Sequence, residues 1–326
     1  MKDSIKRIIA IALLVSIISC NNNGTNSPSD KDSTLVDTTA VASYDTTFKV
    51  EAEAFADLQV LRYQVPGFDH LSLQQKQLAY YLYEAALCGR EIAYDQRGKY
   101  ELLILRTLNT AYGTYNGDKN SEDWKKFEEY CGRFWFSNGN HHHYGSEKFI
   151  PACSFEYFST VVKASDSTQL PKENGESIDA FLKRLQPIVY DLKFESKLVD
   201  LSPNTDNIKA SSVNFYEGVT QKEVEAFYSK FNTTGQAPSW GLNSKVVKEN
   251  GQIVEKIWKA GGMYSSAIEK IVGWLQKAVP VAENEQQKKA LQLLIQYYQT
   301  GNLTTFDEYS IAWVRDVNSR LDVVNG

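Results

Sequence analysis

The stretch Asn138-Gly-Asn-His-His-His-Tyr-Gly-Ser-Glu-Lys148 gathers three of the chain's four histidines between two glycines, with a carboxylate and an amine just beyond. Imidazole can ligate a metal, carry a proton or hydrogen-bond at two edges. Three consecutive residues cannot converge on one point: in an extended segment His141 and His143 share a face while His142 points away. A zinc site needs a third or fourth ligand. Glu147 lies four residues after His143, one helical turn away, but Gly145 opposes a helix there. The spacing therefore favours a hydrogen-bonding loop that lines a surface, held between rigid elements.

No other segment supplies a catalytic set. Gly-x-Gly-x-x-Gly, a phosphate loop, a Gly-x-Ser-x-Gly elbow and His-Glu-x-x-His are all missing. His70 is the one histidine outside the triple. Cys153 near His143 would be a nucleophilic pair, but Cys153 sits at a helix start that calls for packing. Cys20, Cys88, Cys131 and Cys153 show no Cys-x-x-Cys spacing. With Cys20 in the leader, an odd three remain, allowing one disulfide at most. Cys88 follows an apolar helical pattern and reads as a small core residue.

The elements that must hold the loop are mostly helical. Ser72-Leu-Gln-Gln75 is a capping box opening a helix over 72–94, and the helical period returns over 100–112. A third helix over 122–136 turns Trp124, Phe127, Cys131 and Phe134 inward and ends where the histidine loop begins. Its Glu122, Asp123, Glu128 and Glu129 read as a solvated face with acids near the helix start. Ser154 caps a helix to 162, and another spans 178–185. Residues 190–201 partly alternate and predict a strand. Thr220-Gln-Lys-Glu223 is a second capping box, for a helix to 231. Asn250-Gly251 between β-branched runs predicts a hairpin over 242–257. Helices over 263–278, 284–299 and 305–317 complete an α+β class: predominantly helical, with a minority antiparallel sheet or barrel core.

The chain has 326 residues and 42% hydrophobic content, enough for a substantial core. Its formal charge is −5; Lys2, Lys6 and Arg7 against Asp3 contribute +2, so the part after residue 19 carries −7. With no basic stripe, nucleic acid is disfavoured as a partner. Residues 1–19 have a signal-peptide layout, a basic start and a short apolar run. Ile17-Ile18-Ser19-Cys20 resembles a bacterial lipobox, which makes Cys20 the lipidation site. Residues 20–47 are polar and too poor in apolar side chains to fold, so they read as a tether. The expected location is the bacterial cell envelope, lipid-anchored and facing the periplasm, with the globular body over 48–326.

Three stretches, residues 55–68, 135–151 and 240–264, together resemble the dipeptidyl-peptidase III family of zinc metallopeptidases, bacterial type. The resemblance covers residues 50–326, and the last stretch is the most specific. It implies a two-lobed enzyme that releases dipeptides from the amino ends of short peptides. One helical lobe would bind zinc through a His-Glu-x-x-x-His helix and a downstream Glu. The other lobe, built around a small barrel, would grip the peptide, and this chain resembles that amino-terminal, substrate-binding lobe. The cleft-acting Glu and Tyr and every zinc ligand of the family fall beyond Gly326, so the expectation is a fragment, inactive alone, lacking the zinc-binding lobe as partner. Zinc is expected in the complete family enzyme and none in this chain; no catalytic residue is assigned. By the same resemblance Tyr144 lines the pocket for the peptide's amino-terminal part, and Asn138, His143 and Lys148 shape the loop beside it. Two rival readings stay open: a lipoprotein that binds peptides without cutting them, and a metal-binding lipoprotein using His141, His143 and Glu147.

Overall fold

The computed structural model describes residues 45–231, 234–235 and 237–325. The leader, Cys20 and most of the tether lie outside the described residues. Among the described residues no helix is long and apolar enough to cross a membrane.

The fold begins with a hairpin, β1 (Glu51–Phe55) and β2 (Leu58–Leu61), paired antiparallel with a register shift between Glu51 and Glu53. Then come α1 (Leu73–Cys88), α2 (Arg90–Arg97), α3 (Glu101–Thr114) and α4 (Glu122–Ser137). The helix expected over 72–94 is two helices, divided at Gly89, the C-cap of α1 and N-cap of α2. Both capping boxes form: Ser72 with Gln75, and Thr220 with Glu223. Each satisfies two backbone donors that a helix start would otherwise leave unmade. Ser121 and Ser154 likewise cap α4 and α5 (Phe155–Lys163).

Helix α6 (Ile178–Tyr190) runs five residues past the expected end at 185 and carries Pro187 in its final turn. The expected strand over 190–201 does not form. Asp191 ends the helix, Phe194 N–H returns to Asp191 O, and Glu195 is left-handed with φ +49°. Only an isolated bridge, Glu147 to Lys197, remains of the pairing. The alternation was real, but this segment's carbonyls are turned toward the histidine loop instead of a strand.

A short α7 (Asn207–Ala210) precedes β3 (Tyr216–Glu217), α8 (Gln221–Tyr228), β4 (Ser244–Glu249) and β5 (Gln252–Ile257). β4 and β5 pair antiparallel around Asn250-Gly251, both at positive φ as a tight hairpin turn requires. β3 pairs parallel to β4. The minority sheet is thus small and open: no closed barrel exists among the described residues, since a two-residue β3 cannot carry the pairing round. Helices α9 (Ser265–Ala278), α10 (Glu285–Thr300) and α11 (Leu303–Arg315) complete the chain.

Two apolar cores result. One joins α2 to α6 through Phe127, Phe134, Phe158 and Phe181, all 0% exposed. The other joins α1 to α9, α10 and α11 through Leu78, Leu275, Leu291 and Leu294. The first sits directly beneath the histidine loop. Cys88, Cys131 and Cys153 are free thiols, and burial pushes the Cys131 and Cys153 thiols up, away from nucleophilic use.

Candidate functional site

The loop is launched by the end of α4. Phe134 is locked in the core against Tyr94, ring centroids 5.7 Å apart, and its carbonyl accepts from Gly139 N–H at 3.0 Å. Asn138 is the left-handed C-cap (φ +53°) that turns the chain out, a conformation asparagine tolerates. Gly139 follows at φ +153°, pressed against Glu101 so closely that a Cβ would stand 3.0 Å from the carboxyl carbon.

Beneath the loop lies a buried polar cluster. Glu101, 3% exposed, accepts from Asn140 N–H at 3.0 Å and lies 3.7 Å from His141 Nδ1. Tyr130 Oη donates to Asn140 Oδ1 at 2.8 Å. His141, 2% exposed, donates from Nε2 to Glu195 O at 2.7 Å. Lys148, 8% exposed, pairs with His141 as an isolated antiparallel bridge. Its Nζ donates to Asp191 O at 2.9 Å and Phe194 O at 2.8 Å. Burial pushes the Lys148 amine down, while Glu195, Glu101 and Asp191 push it back. Arg97, at the end of α2, donates to His141 O at 3.4 Å.

Above the cluster the chain exposes an aromatic surface. His142 Nδ1 accepts from Gly145 N–H at 2.9 Å and Tyr144 N–H at 3.2 Å. His143 packs between Phe136 (4.8 Å, edge-on), His142 (4.4 Å, stacked) and Tyr144 (4.4 Å, tilted). Burial, then the neighbouring His142, lowers the His143 imidazole from its usual value. Tyr144 is 92% exposed, and Phe136 41%. Phe136 also walls a hollow of about 600 Å³ between the β1–β2 hairpin and α4, with Phe55, Val60, Tyr112 and Trp135. Pockets of this size, mostly apolar with a polar margin, suit side chains of small ligands.

The structure thus places Asn138, His143, Tyr144 and Lys148 in one loop but gives them different surroundings. Tyr144 and His143 form the outer aromatic surface, Asn138 turns the chain, and Lys148 is an internal anchor. Sequence reasoning missed Glu101, Glu195 and Phe136, which hold or extend the surface. Glu101 alone carried a signal, a carboxylate within an apolar helical run. His141, His143 and Glu147 do not come together, and no group of three His, Cys, Asp or Glu side chains able to hold a metal exists among the described residues. The donor set does not fit zinc: His141 Nε2 is committed to a carbonyl, and His142 Nδ1 to two amides.

Comparison with known proteins gives a consistent outcome. Residues 209–326 match the model of peptidase family M49. The chain is 22% identical over 291 residues to dipeptidyl peptidase 3 of Nematostella vectensis, covering 77% of this chain and 40% of that protein. It is 18% identical over 223 residues to dipeptidyl peptidase 3 of Dictyostelium discoideum, covering 62% and 30%. Among solved structures, DPP III from Caldithrix abyssi aligns with TM-score 0.47 at 17% identity, over 77% of this chain and 35% of that one. Dipeptidyl-peptidase III from Corallococcus sp. strain EGB aligns with TM-score 0.48 at 15% identity, over 80% and 35%. The chain therefore spans only 30–40% of the length of the curated relatives it matches.

Proposed function

We propose, from the premise that this chain belongs to the dipeptidyl-peptidase III family, that it forms the amino-terminal peptide-binding lobe of a zinc exopeptidase releasing dipeptides from short peptides. The observation that carries this reading is the exposed pair Phe136, at the end of α4, and Tyr144, packed on either side of a half-buried His143 in a loop anchored from below by buried hydrogen bonds. A rigid support under solvent-facing aromatics is what a binding surface needs, since little ordering entropy is then lost on contact.

In this reading the described residues bind and orient the peptide, and no metal-holding or bond-breaking role is assigned to them. No step here runs through zinc, because the residues present do not fit it. His142, whose Nδ1 is taken by two amides, offers its Nε2 edge for a hydrogen bond to substrate, and Tyr144 and Phe136 offer apolar contact to the first side chains.

Titrating the 326-residue chain with a panel of short peptides tests the proposal. Binding is expected, and Tyr144→Ala should weaken it about tenfold, the order of 1.4 kcal/mol expected for one aromatic contact. The fold should be unchanged, since Tyr144 is 92% exposed. Unaltered affinity in that variant, or none in the parent, would count against the assignment.

The same proposal places the protein on the bacterial cell envelope, lipidated at Cys20 after removal of residues 1–19, with 20–47 as spacer and 48–326 as the lobe. The lipobox-like Ile17-Ile18-Ser19-Cys20 supports this. Expressed in a bacterium, the protein should partition into the detergent phase, and Cys20→Ser should move it to the aqueous phase. Equal partitioning of the two would rule the anchor out.

A further inference from the structure

We propose that a cavity where the second core meets the β3–β4–β5 sheet binds a neutral, flat aromatic molecule with one hydrogen-bond acceptor, which the indole N–H of Trp258 receives. The cavity shares no lining residue with the hollow beside Phe136, and the inference does not rest on the peptide reading.

The cavity has a volume of about 600 Å³, within the range of sites for small ligands. Helices α2, α9, α10 and α11 contribute walls, joined by Phe215 just before β3 and Trp258 just after β5. Its rings form two runs. Trp258 packs with Phe215 and Tyr264, centroids 5.8 and 5.9 Å away. Tyr297 packs with Tyr298 and Phe306, at 5.5 and 4.9 Å. Such walls suit a flat apolar body that can meet rings edge-on or offset. Among the described residues none of those lining the cavity is charged. An ionised ligand would lose its hydration there with no counter-charge, so the site selects a neutral one.

The Trp258 indole supplies the polar requirement. Its backbone N–H reaches Asn243 O at 2.9 Å, but Nε1 is buried and has no acceptor among the described residues. A buried donor left unmade is costly and rare. Two neighbouring hydroxyls are already spent: Tyr264 Oη donates to Asp95 Oδ2 at 2.6 Å, and Tyr298 Oη donates to Asn325 Oδ1. A buried water makes about three hydrogen bonds, more than the rings beside this indole provide. A ligand carbonyl needs the one.

The wall beside Trp258 is set in advance. Tyr264 takes φ +64° at the N-cap of α9, a left-handed conformation unusual for an aromatic residue, and its bond to Asp95 ties α9 to α2. Such a conformation persists only where the surroundings enforce it.

Calorimetric titration of the 326-residue chain with methyl naphthyl ketone, and with its isopropenyl isostere that keeps the shape and lacks the oxygen, tests the site. The ketone should bind about tenfold tighter, as one hydrogen bond to an otherwise unpaired donor predicts. In Trp258→Phe the two should bind alike, and charged naphthoate should bind the parent far more weakly than the ketone does. No binding of the ketone, equal affinity for the two isosteres or for naphthoate in the parent, or a preference that survives Trp258→Phe overturns the proposal. Should that variant fail to fold, the parent's Trp258 Nε1–H resonance, assigned through its contacts to the Phe215 and Tyr264 rings, decides. A downfield shift with the ketone alone supports the proposal; the same response to both isosteres ends it.

Discussion

Glu101→Ala is expected to lower the free energy of unfolding by about 3 kcal/mol, the low end for removing one member of a buried charged network. The carboxylate is 3% exposed and takes the Asn140 N–H; its removal leaves that donor without its acceptor and takes away the negative charge that Arg97 faces. Relief of the Glu101–Glu195 repulsion offsets part of the loss, which keeps the figure off the upper end of the range. Glu101→Gln retains an acceptor of the same shape and should lose clearly less. Urea unfolding of the two variants beside the parent measures both. An alanine variant within about 1 kcal/mol of the parent would mean that the cluster does not hold the loop.

Phe134→Ala should cost about 3–5 kcal/mol, as deletion of a fully buried aromatic does when the cavity cannot collapse. Phe134 is 0% exposed and lies against Tyr94 on α2 and Tyr130 on α4, with centroids at 5.7 and 6.4 Å. Those neighbours are large rings fixed on helices, so little can move in to fill the gap. Phe134→Leu, which refills most of the volume, should lose much less. Thermal unfolding followed by near-ultraviolet circular dichroism would report the difference; equal midpoints for the alanine and leucine variants would contradict a rigid core here. The substitution also bears on the site, because the Phe134 carbonyl receives the Gly139 N–H that starts the loop.

The two substitutions act at different depths. Glu101 holds the loop by hydrogen bonding and charge, Phe134 by keeping the end of α4 in place. Tyr144, above both, contributes contact to a ligand and little to stability. Loss of peptide binding in Tyr144→Ala with unchanged unfolding would separate recognition from support, which the two buried positions cannot do.

Much of the fold could be read along the chain because its signals are local. Ser72, Ser121, Ser154 and Thr220 each cap the helix expected after them, within three residues of the amide they accept. Asn250-Gly251 sets a hairpin because its two residues accept positive φ, a preference that needs no partner. The β1–β2 hairpin gave no such cue: Ala56 takes φ +51° at its turn, and Phe55 packs against Gly132 of α4, whose missing Cβ leaves the room.

The histidine stretch, its bracketing glycines and its inability to gather three ligands at one point were fixed by residue type and spacing alone. What the sequence left undecided was which histidine would be buried and which surface would face solvent. Tertiary structure decided that through contacts far apart in the chain: Glu195 meets His141 across 54 residues, Glu101 meets Asn140 across 39, and Asp191 meets Lys148 across 43. Alternation in 190–201 misled for the same reason. A strand and a turn expose the same carbonyls, and only the arrival of Lys148 and His141 determined which of the two would satisfy them.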